Sequence, residues 1–325
     1  MDKLKKSFII TGCCGLLGSY FTKLCLENGW LVLGIDKKTY CAQDENKLFG
    51  NYSNFTFLQE DILTLNRLPD CDYVVNFAAE SHVDNSILNS NHFTKTNILG
   101  VENLLNLIKE KKNYQMPLFV HISTDEVYGD TTEDIQYNEN DKLNPSNPYS
   151  ASKAAADLLI QSWNRTYNIP YIIFRPTNNY GLGQYPEKLI PKSIQLLMRG
   201  KKIQLHGDGS YERDWLYADN TAMNISGILR EDRSKTLNQI FNIAGNNIVS
   251  IKDVAHLIIK NFHSDDVNPD DYIEYNYQRK GADICYKIDD SKLRNLIGDW
   301  RFSNKNKLED VIQNIIKDIK ENYRW

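Results

Sequence analysis

Ser7-Phe8-Ile9-Ile10-Thr11-Gly12-Cys13-Cys14-Gly15-Leu16-Leu17-Gly18 runs an apolar segment of strand length directly into a glycine-rich turn. Leu17, Tyr20, Phe21 and Leu24 then recur at helical spacing, and Asn28-Gly29 marks a stop before the next apolar run. Similar runs follow at Trp30 to Ile35, Tyr73 to Phe77, Leu118 to Ser123, Tyr171 to Phe174 and Ile240 to Ala244, with helix-period stretches between the earlier ones. That alternation predicts an α/β fold, a parallel sheet wrapped by helices. Residues 1–177 with 215–245 are expected to form the sheet domain. Residues 178–214 with 246–325, richer in Pro, Gly, Asn and charge, are expected to form a smaller substrate-binding lobe at the strands' carboxyl ends, where open sheets bind ligands.

Gly12, Gly15 and Gly18 stand in a G-x-x-G-x-x-G spacing, which departs from the G-x-G-x-x-G fingerprint. Glycines at such a turn let the backbone fold tightly, let a pyrophosphate approach the amides, and bring the helix onto the sheet. Asp36 ends the second run, where a carboxylate accepts ribose hydroxyls and repels a 2'-phosphate. Together they predict a Rossmann-type doubly wound sheet that binds NAD in preference to NADP. Lys37 and Lys38 follow directly, and their plainest reading is a solvated pair. Asp61-Ile62 is positioned to reach the adenine, and Asn76-Phe77-Ala78-Ala79 to pass small side chains near the cofactor.

With 325 residues, 41% of them apolar, the chain has room for two lobes and a sizeable core. Lys plus Arg number 38 against 42 Asp plus Glu, a net charge of -4, so no basic field is available for nucleic acid. The first apolar run is too short for a signal-peptide core or a membrane span, and the expectation is a soluble, cytoplasmic protein. The six cysteines show no metal-ligand spacing and are expected to be reduced thiols, with no metal bound. Leu308, Val311, Ile312, Ile315, Ile316 and Ile319 share one face of a final helix whose polar face carries both charge signs, which suits packing better than a membrane surface.

Tyr149-Ser150-Ala151-Ser152-Lys153 opens another helical stretch. A Tyr and a Lys four apart lie on one face, where the ammonium can sit near the phenol and the nicotinamide ribose. A nearby cation favours the ionised phenol, whose ordinary pKa of about 10 makes it a poor base at neutral pH. With the glycine spacing and Asp36, this pair resembles the extended short-chain dehydrogenase/reductase superfamily. Within it the chain resembles the nucleotide-sugar 4,6-dehydratases from end to end, most specifically through Ser123-Thr124-Asp125-Glu126-Val127-Tyr128-Gly129. Supporting strings are Ala78-Ala79-Glu80-Ser81-His82-Val83-Asp84, Asn178-Asn179-Tyr180-Gly181, Pro186-Glu187-Lys188-Leu189-Ile190-Pro191 and Arg213-Asp214-Trp215.

The resemblance implies an NAD-dependent hydro-lyase that converts UDP-glucose or dTDP-glucose to the 4-keto-6-deoxy sugar, an early step of rhamnose or other deoxysugar synthesis. It assigns catalysis to Thr124, Asp125, Glu126, Tyr149 and Lys153. Two adjacent carboxyls can divide acid and base work if their environments separate their pKa values. The cofactor side takes Gly12, Gly15, Leu16, Leu17, Gly18, Asp36, Lys37, Asp61, Ile62, Phe77, Ala78, Ala79, Thr96, Tyr149, Lys153 and Asn179. The substrate side takes Ser81, Thr124, Asn178, Lys188, Leu189, Gln204, Leu205, His206, Arg213, Asn242, Arg279 and Tyr286, with the two arginines suited to a diphosphate.

Asn85, Gln204 and Ala282 stand where bacterial dTDP-glucose enzymes typically carry Arg, Pro and His. The strings His82-Val83-Asp84-Asn85-Ser86 and His206-Gly207-Asp208-Gly209-Ser210 look more like eukaryotic UDP-glucose 4,6-dehydratase domains, which favours UDP-glucose. The resemblance also implies a homodimer through helices near 97–111 and 149–168. An epimerase or decarboxylase would keep the cofactor loop and the Tyr-Lys pair, and Asp125 argues against both. A noncatalytic NAD-binding regulator would be free to lose the catalytic set, all of which is present.

Overall fold

The computed structural model describes residues 6–111, 116–131, 135–277, 285–298 and 307–322. Seven strands make the main sheet: β1 (Ser7–Thr11), β2 (Leu31–Asp36), β3 (Phe55–Gln59), β4 (Tyr73–Asn76), β5 (Leu118–Ile122), β6 (Tyr171–Pro176) and, after three strands elsewhere, β10 (Gln239–Ile243). Their order is β10-β6-β5-β4-β1-β2-β3, and every pairing is parallel. The chain moves outward from β1 through β2 to β3, then returns to place β4 on the other side of β1. That reversal opens a crevice at the carboxyl ends of β1 and β4.

Both faces of the sheet are covered, so the central strands are apolar in runs, Phe8 to Ile10, Tyr73 to Val75 and Leu118 to Val120, rather than alternating with polar residues. Phe8, Ile10, Val75, Val120 and Phe174 pack into one core, beneath the Leu16–Glu27 and Ala218–Ile228 helices. Ile9, Val74, Phe119 and Ile173 point the other way, into a core shared with the Gly100–Lys109 and Pro148–Tyr167 helices. At roughly 1.5–3 kcal/mol per fully buried aliphatic or Phe side chain, these two layers are the main favourable contribution to the fold. The expected helix near 97–111 starts earlier than its apolar spacing suggests, with a π-helical stretch, Thr94–Leu99, leading into the regular helix.

The second lobe is built from β7 (Asn178–Tyr180), β9 (Glu212–Tyr217) and β11 (Ile248–Ser250) in one small sheet, and β8 (Ile203–His206) with β12 (Ile273–Tyr277) in another. Val311, Ile312, Ile315 and Ile316 of the last helix lie buried with Ile190 and Ile194, and with Val254 and Ile258, from the Leu189–Met198 and Ile251–Phe262 helices. The apolar stripe of the final helix is therefore packing surface. Two stretches depart from the expected division of the chain. β9 runs on to Tyr217 within the small sheet, past the expected boundary at 214/215. Leu293 and Ile297, on the Ser291–Ile297 helix, are buried in the core under the main sheet, so this helix sits with the sheet rather than with the lobe. Among the described residues no helix is long and apolar enough to cross a membrane.

Candidate active site

The glycine turn sits at the crevice. Gly12 leaves β1 with φ +69°, a conformation that glycine adopts without strain, and its N–H donates to Ile35 O at 2.8 Å. A Cβ on Gly12 would stand 2.6 Å from Ala78 N, and one on Gly18 would collide with the Gly12 carbonyl. The turn is therefore as tight as backbone packing allows. Asp36 closes β2 with its carboxylate accepting from Cys14 N at 3.0 Å and Lys38 N at 2.8 Å, while burial pushes its pKa upward.

Lys37 and Lys38 are not the solvated pair that their sequence suggested. Lys37 Nζ lies 3.2 Å from Glu80, 3.7 Å from Asp61 and 3.3 Å from Thr96 Oγ1, and Lys38 pairs with Glu45. Asp61 and Glu80 come from the ends of other strands, so only the folded sheet could bring them to Lys37. All six cysteines are free thiols; Cys13 and Cys14 are buried with their sulfurs 3.8 Å apart.

Three adjoining cavities form one cleft. The first holds Asp36, Lys37, Asp61, Ile62, Ala78 and Thr96, and shares Gly12, Gly15, Phe77 and Ala79 with the second. The second, of about 270 Å³, adds Leu16, Leu17, Gly18, Ser81, Thr124, Tyr149 and Lys153, and shares Glu126, Asn178, Asn179 and Lys188 with the third. The third, of about 220 Å³, is lined by Leu189, Gln204, Leu205, His206, Arg213 and Tyr286 among others. Ser123 Oγ, buried with no hydrogen-bond partner among the described residues, belongs to a residue lining the middle cavity. The tight glycine turn, the carboxylate at the end of β2 and this spare hydroxyl suit an elongated polar ligand such as a dinucleotide.

The helix carrying Tyr149 and Lys153 is started by Asn147 through a reciprocal capping box with Ser150, and Pro148 occupies its first turn. Tyr149 thus stands in the first turn and Lys153 one turn on. Lys153 Nζ reaches down to the sheet, donating to Ile122 O at 2.6 Å, with His121 Nε2 at 3.3 Å. Burial lowers its pKa to about 8 against the raising effect of Asp157.

Tyr149 is held well above the ordinary phenol range by burial, then by Glu126 and, more weakly, Asp125, while a hydrogen bond with Thr124 works the other way. Lys153 is not among the groups that shift it. In this arrangement the Lys153 side chain is turned to Ile122 O and His121.

Thr124, Asp125 and Glu126 leave β5 in a tight 3-10 turn, Asp125–Tyr128, where Thr124 Oγ1 accepts from Glu126 N. Asp125 is 3% exposed and stands behind the cleft, with Thr124 Oγ1 at 3.1 Å and Thr177 Oγ1 at 2.8 Å from its two oxygens. Burial first, then the neighbouring Glu126 charge, raise its pKa to about 7. Glu126 lines both the middle and the third cavity. One carboxyl can thus remain protonated at neutral pH while the other faces the cleft.

A family model described as GDP-mannose 4,6 dehydratase matches residues 9–315. The chain belongs to this family. It is similar to a trifunctional UDP-glucose 4,6-dehydratase/UDP-4-keto-6-deoxy-D-glucose 3,5-epimerase/UDP-4-keto-L-rhamnose-reductase of Arabidopsis thaliana, 36% identical over 98% of this chain and 48% of the plant protein. The chain thus spans about half the length of that relative. A dTDP-glucose 4,6-dehydratase of Haemophilus influenzae is 35% identical, covering 91% of this chain and 93% of that protein. Among solved structures, the dTDP-glucose 4,6-dehydratase DesIV of Streptomyces venezuelae, crystallised with NAD, superposes with a TM-score of 0.86 at 29% identity over 97% of each chain.

One substrate-side expectation drawn from the 4,6-dehydratase family does not fall in the cleft. Asn242 is fully buried in β10; its amide donates to Tyr137 O and Asp289 O at 3.1 Å, and its oxygen accepts from Tyr128 Oη at 2.9 Å. Its hydrogen-bonding capacity serves packing, which removes it from the substrate side. Arg279 lies outside the described residues, as does Ala282.

The fold also makes contacts around the cleft that the motifs did not show. Tyr40 donates to Glu187 Oε2 at 2.7 Å, accepts from Asn85 Nδ2 at 3.2 Å and packs edge-on against Tyr185 at 5.0 Å. Lys188 Nζ donates to Ser81 O at 2.8 Å. These contacts tie the loop after β2 and the segment after β4 to the second lobe, over the junction of the cavities. Ser81 and Lys188 were expected on the substrate side and Asn85 and Glu187 stand in quoted strings, whereas nothing in the sequence pointed to Tyr40 or Tyr185.

Proposed function

We propose that this chain is an NAD-dependent nucleotide-sugar 4,6-dehydratase that converts UDP-glucose, or dTDP-glucose, to the corresponding 4-keto-6-deoxyglucose. The observation that carries the reading is the adjacent Asp125 and Glu126 beside Tyr149, one carboxyl buried with its pKa near 7 and the other lining the cleft. An enzyme that only oxidised and reduced carbon 4 would have no use for a second, protonated carboxyl.

Gly12, Gly15 and Gly18 would hold the pyrophosphate, Asp36 the adenosine ribose and Asp61-Ile62 the adenine edge, with Lys153 at the nicotinamide ribose. Bound NAD supplies the acceptor for a hydride from carbon 4 and the donor that returns it to carbon 6. Tyr149 takes the proton of the carbon 4 hydroxyl, and Thr124, hydrogen-bonded to the phenol, positions that oxygen. A protonated Asp125 removes one of the two negative charges that oppose ionisation of the phenol, so the acid's state at neutral pH also helps the base.

Once carbon 4 is a ketone, the proton on carbon 5 is acidic. Glu126 removes it, and Asp125 protonates the departing carbon 6 hydroxyl, with Thr124 the hydroxyl standing between that carboxyl and the cleft. Arg213, whose guanidinium stacks 4.9 Å over the Tyr286 ring in the third cavity, suits the diphosphate. His82 and His206 line the same cavity and belong to the two strings that favour UDP-glucose.

The chain acts in the cytoplasm and pairs as a homodimer through the Gly100–Lys109 and Pro148–Tyr167 helices; the well-exposed Leu158 suits such a face. Incubating purified protein with UDP-glucose and with dTDP-glucose separately, and following the 4-keto product, tests the reaction and the nucleotide together. A 4-epimerised hexose, or no turnover of either sugar, would overturn the reading.

A further inference from the structure

Thr11, Asn76 and His121 occupy one row across three neighbouring strands of the main sheet, Thr11 opposite Asn76 and Asn76 opposite His121. All three are polar among strand residues that are otherwise apolar where buried, and each is at most 1% exposed. None lines the cleft. Their side chains join end to end: Thr11 Oγ1 to Asn76 Oδ1 at 2.6 Å, Asn76 Nδ2 to His121 Nδ1 at 3.1 Å, and His121 Nε2 to Lys153 Nζ at 3.3 Å. Four buried polar groups in a sheet core cost several kcal/mol unless fully partnered, so a line of them ending on the lysine of the cleft calls for a reason.

The reason lies in the count of protons. A neutral imidazole carries one hydrogen, on one nitrogen only. As the row stands, Thr11 donates to the Asn76 oxygen and the Asn76 amide donates to Nδ1, which leaves the hydrogen on Nε2. An N–H at Nε2 can meet Lys153 only through the lone pair of a neutral amine. An ammonium requires the opposite arrangement, with the Nε2 lone pair facing Lys153, the hydrogen on Nδ1 and the Asn76 oxygen turned toward it.

Both arrangements keep the imidazole neutral, and burial together with the adjacent Lys153 holds His121 far below the ordinary histidine range. Between them, one proton passes from the protein to solvent. We propose that Thr11, Asn76 and His121 are positioning residues for Lys153, a reversible row whose direction follows the protonation of the amine and lets it change charge without leaving a buried group unpartnered. This rests on the reading of Lys153 as the lysine of the reaction.

The charged and titratable groups facing Lys153 are His121 from the sheet and Asp157 one turn along its own helix, and Tyr149 and Glu126 line the same cavity. The test is a pH titration of the full chain with 15N-labelled histidine rings from pH 6 to 10, with K153M as control and H121F to identify the ring signals. The expected result is an exchange of the protonated and unprotonated positions of the His121 ring centred near pH 8, without passage through imidazolium, and a single tautomer throughout in K153M.

N76D, which fixes an acceptor at Nδ1, is expected to raise the midpoint by about one pH unit. If H121F does not fold, the one ring that loses its pH dependence in K153M identifies the signals. A His121 ring that keeps one tautomer across the range in the parent protein, or that becomes imidazolium, would overturn the proposal. Because this titration needs no sugar nucleotide, its failure would leave the reaction assignment standing. Absence of keto product beside a normal tautomer exchange would instead sink the assignment alone.

Discussion

Thr177 Oγ1 lies 2.8 Å from Asp125 Oδ2 and 3.2 Å from the carbonyl oxygen of Asp214, so one hydroxyl hydrogen is shared between two acceptors. When it goes to Asp214 O, the oxygen of Thr177 is left to accept from a protonated Asp125. When it goes to Asp125, it stabilises the carboxylate. Asp125 titrates near 7 because burial and Glu126 outweigh that second arrangement. Dehydration at saturating substrate is therefore expected to decline as pH rises through about 7 and the acid form is depleted. Thr177→Val, which removes a bond favouring the charged form, should move that limb upward by up to about one pH unit. A limb unmoved in this variant would show that Thr177 does not set the acid.

The same shift has a consequence for stability. A carboxyl whose pKa is higher in the folded than in the unfolded chain stabilises the fold below the unfolded value, and this contribution is lost as pH climbs through the folded one. For Asp125 the window runs from 3.8 to about 7. Asp125→Asn cannot ionise, so above pH 7 it should be more stable than the parent by up to roughly 4 kcal/mol, with little gain below pH 4. Calorimetry at pH 8 and pH 3.5 separates the two conditions. An equal change at both would mean that packing, not charge, is responsible.

Oxidation and elimination are separable by substitution. Asp125→Asn combined with Glu126→Gln leaves Tyr149 and Lys153 in place, so mixing it with sugar nucleotide should give lasting nicotinamide reduction, read as NADH absorbance, with 4-keto-6-deoxy product reduced by about 10²-fold or more. Tyr149→Phe should suppress the absorbance itself by a similar factor. Normal product formation in the double variant, or normal NADH formation in the phenylalanine variant, would remove those residues from their assigned roles.

How far the site could be read from the sequence followed how local each requirement was. Gly12, Gly15, Gly18 and Asp36 are dictated by one turn and one strand end, and Tyr149 with Lys153 by a single helical turn. Lys37 was expected on the cofactor side and lines the first cavity, but its ion pairs could not be read, because Asp61 and Glu80 arrive from the ends of other strands. Asn242 was put on the substrate side by resemblance, and no local pattern shows that its amide is taken up by Tyr137 O and Asp289 O from neighbouring segments. His121 was hidden inside an apolar run, where only the cross-strand register aligns it with Asn76. The Ser291–Ile297 helix looked like part of the lobe until its Leu293 and Ile297 were found under the sheet.

The bond from Tyr40 to Glu187 offers a test of how the two lobes hold the cleft closed. It spans 147 residues, joining the loop after β2 to the segment that enters the second lobe, and Asn85 adds a second contact to the same phenolic oxygen. Tyr40 is 52% exposed, so solvent screens the hydrogen bond to the carboxylate and its loss is expected to cost no more than about 1 kcal/mol. Tyr40→Phe keeps the ring against Tyr185 and removes only the hydroxyl. The expected result is a KM for sugar nucleotide raised about two- to five-fold, with kcat unchanged, since no reacting atom is touched. Steady-state kinetics on the variant measure both. A fall in kcat at constant KM would mean instead that the contact acts on the chemical step, through the geometry of the cleft around Tyr149 and Glu126.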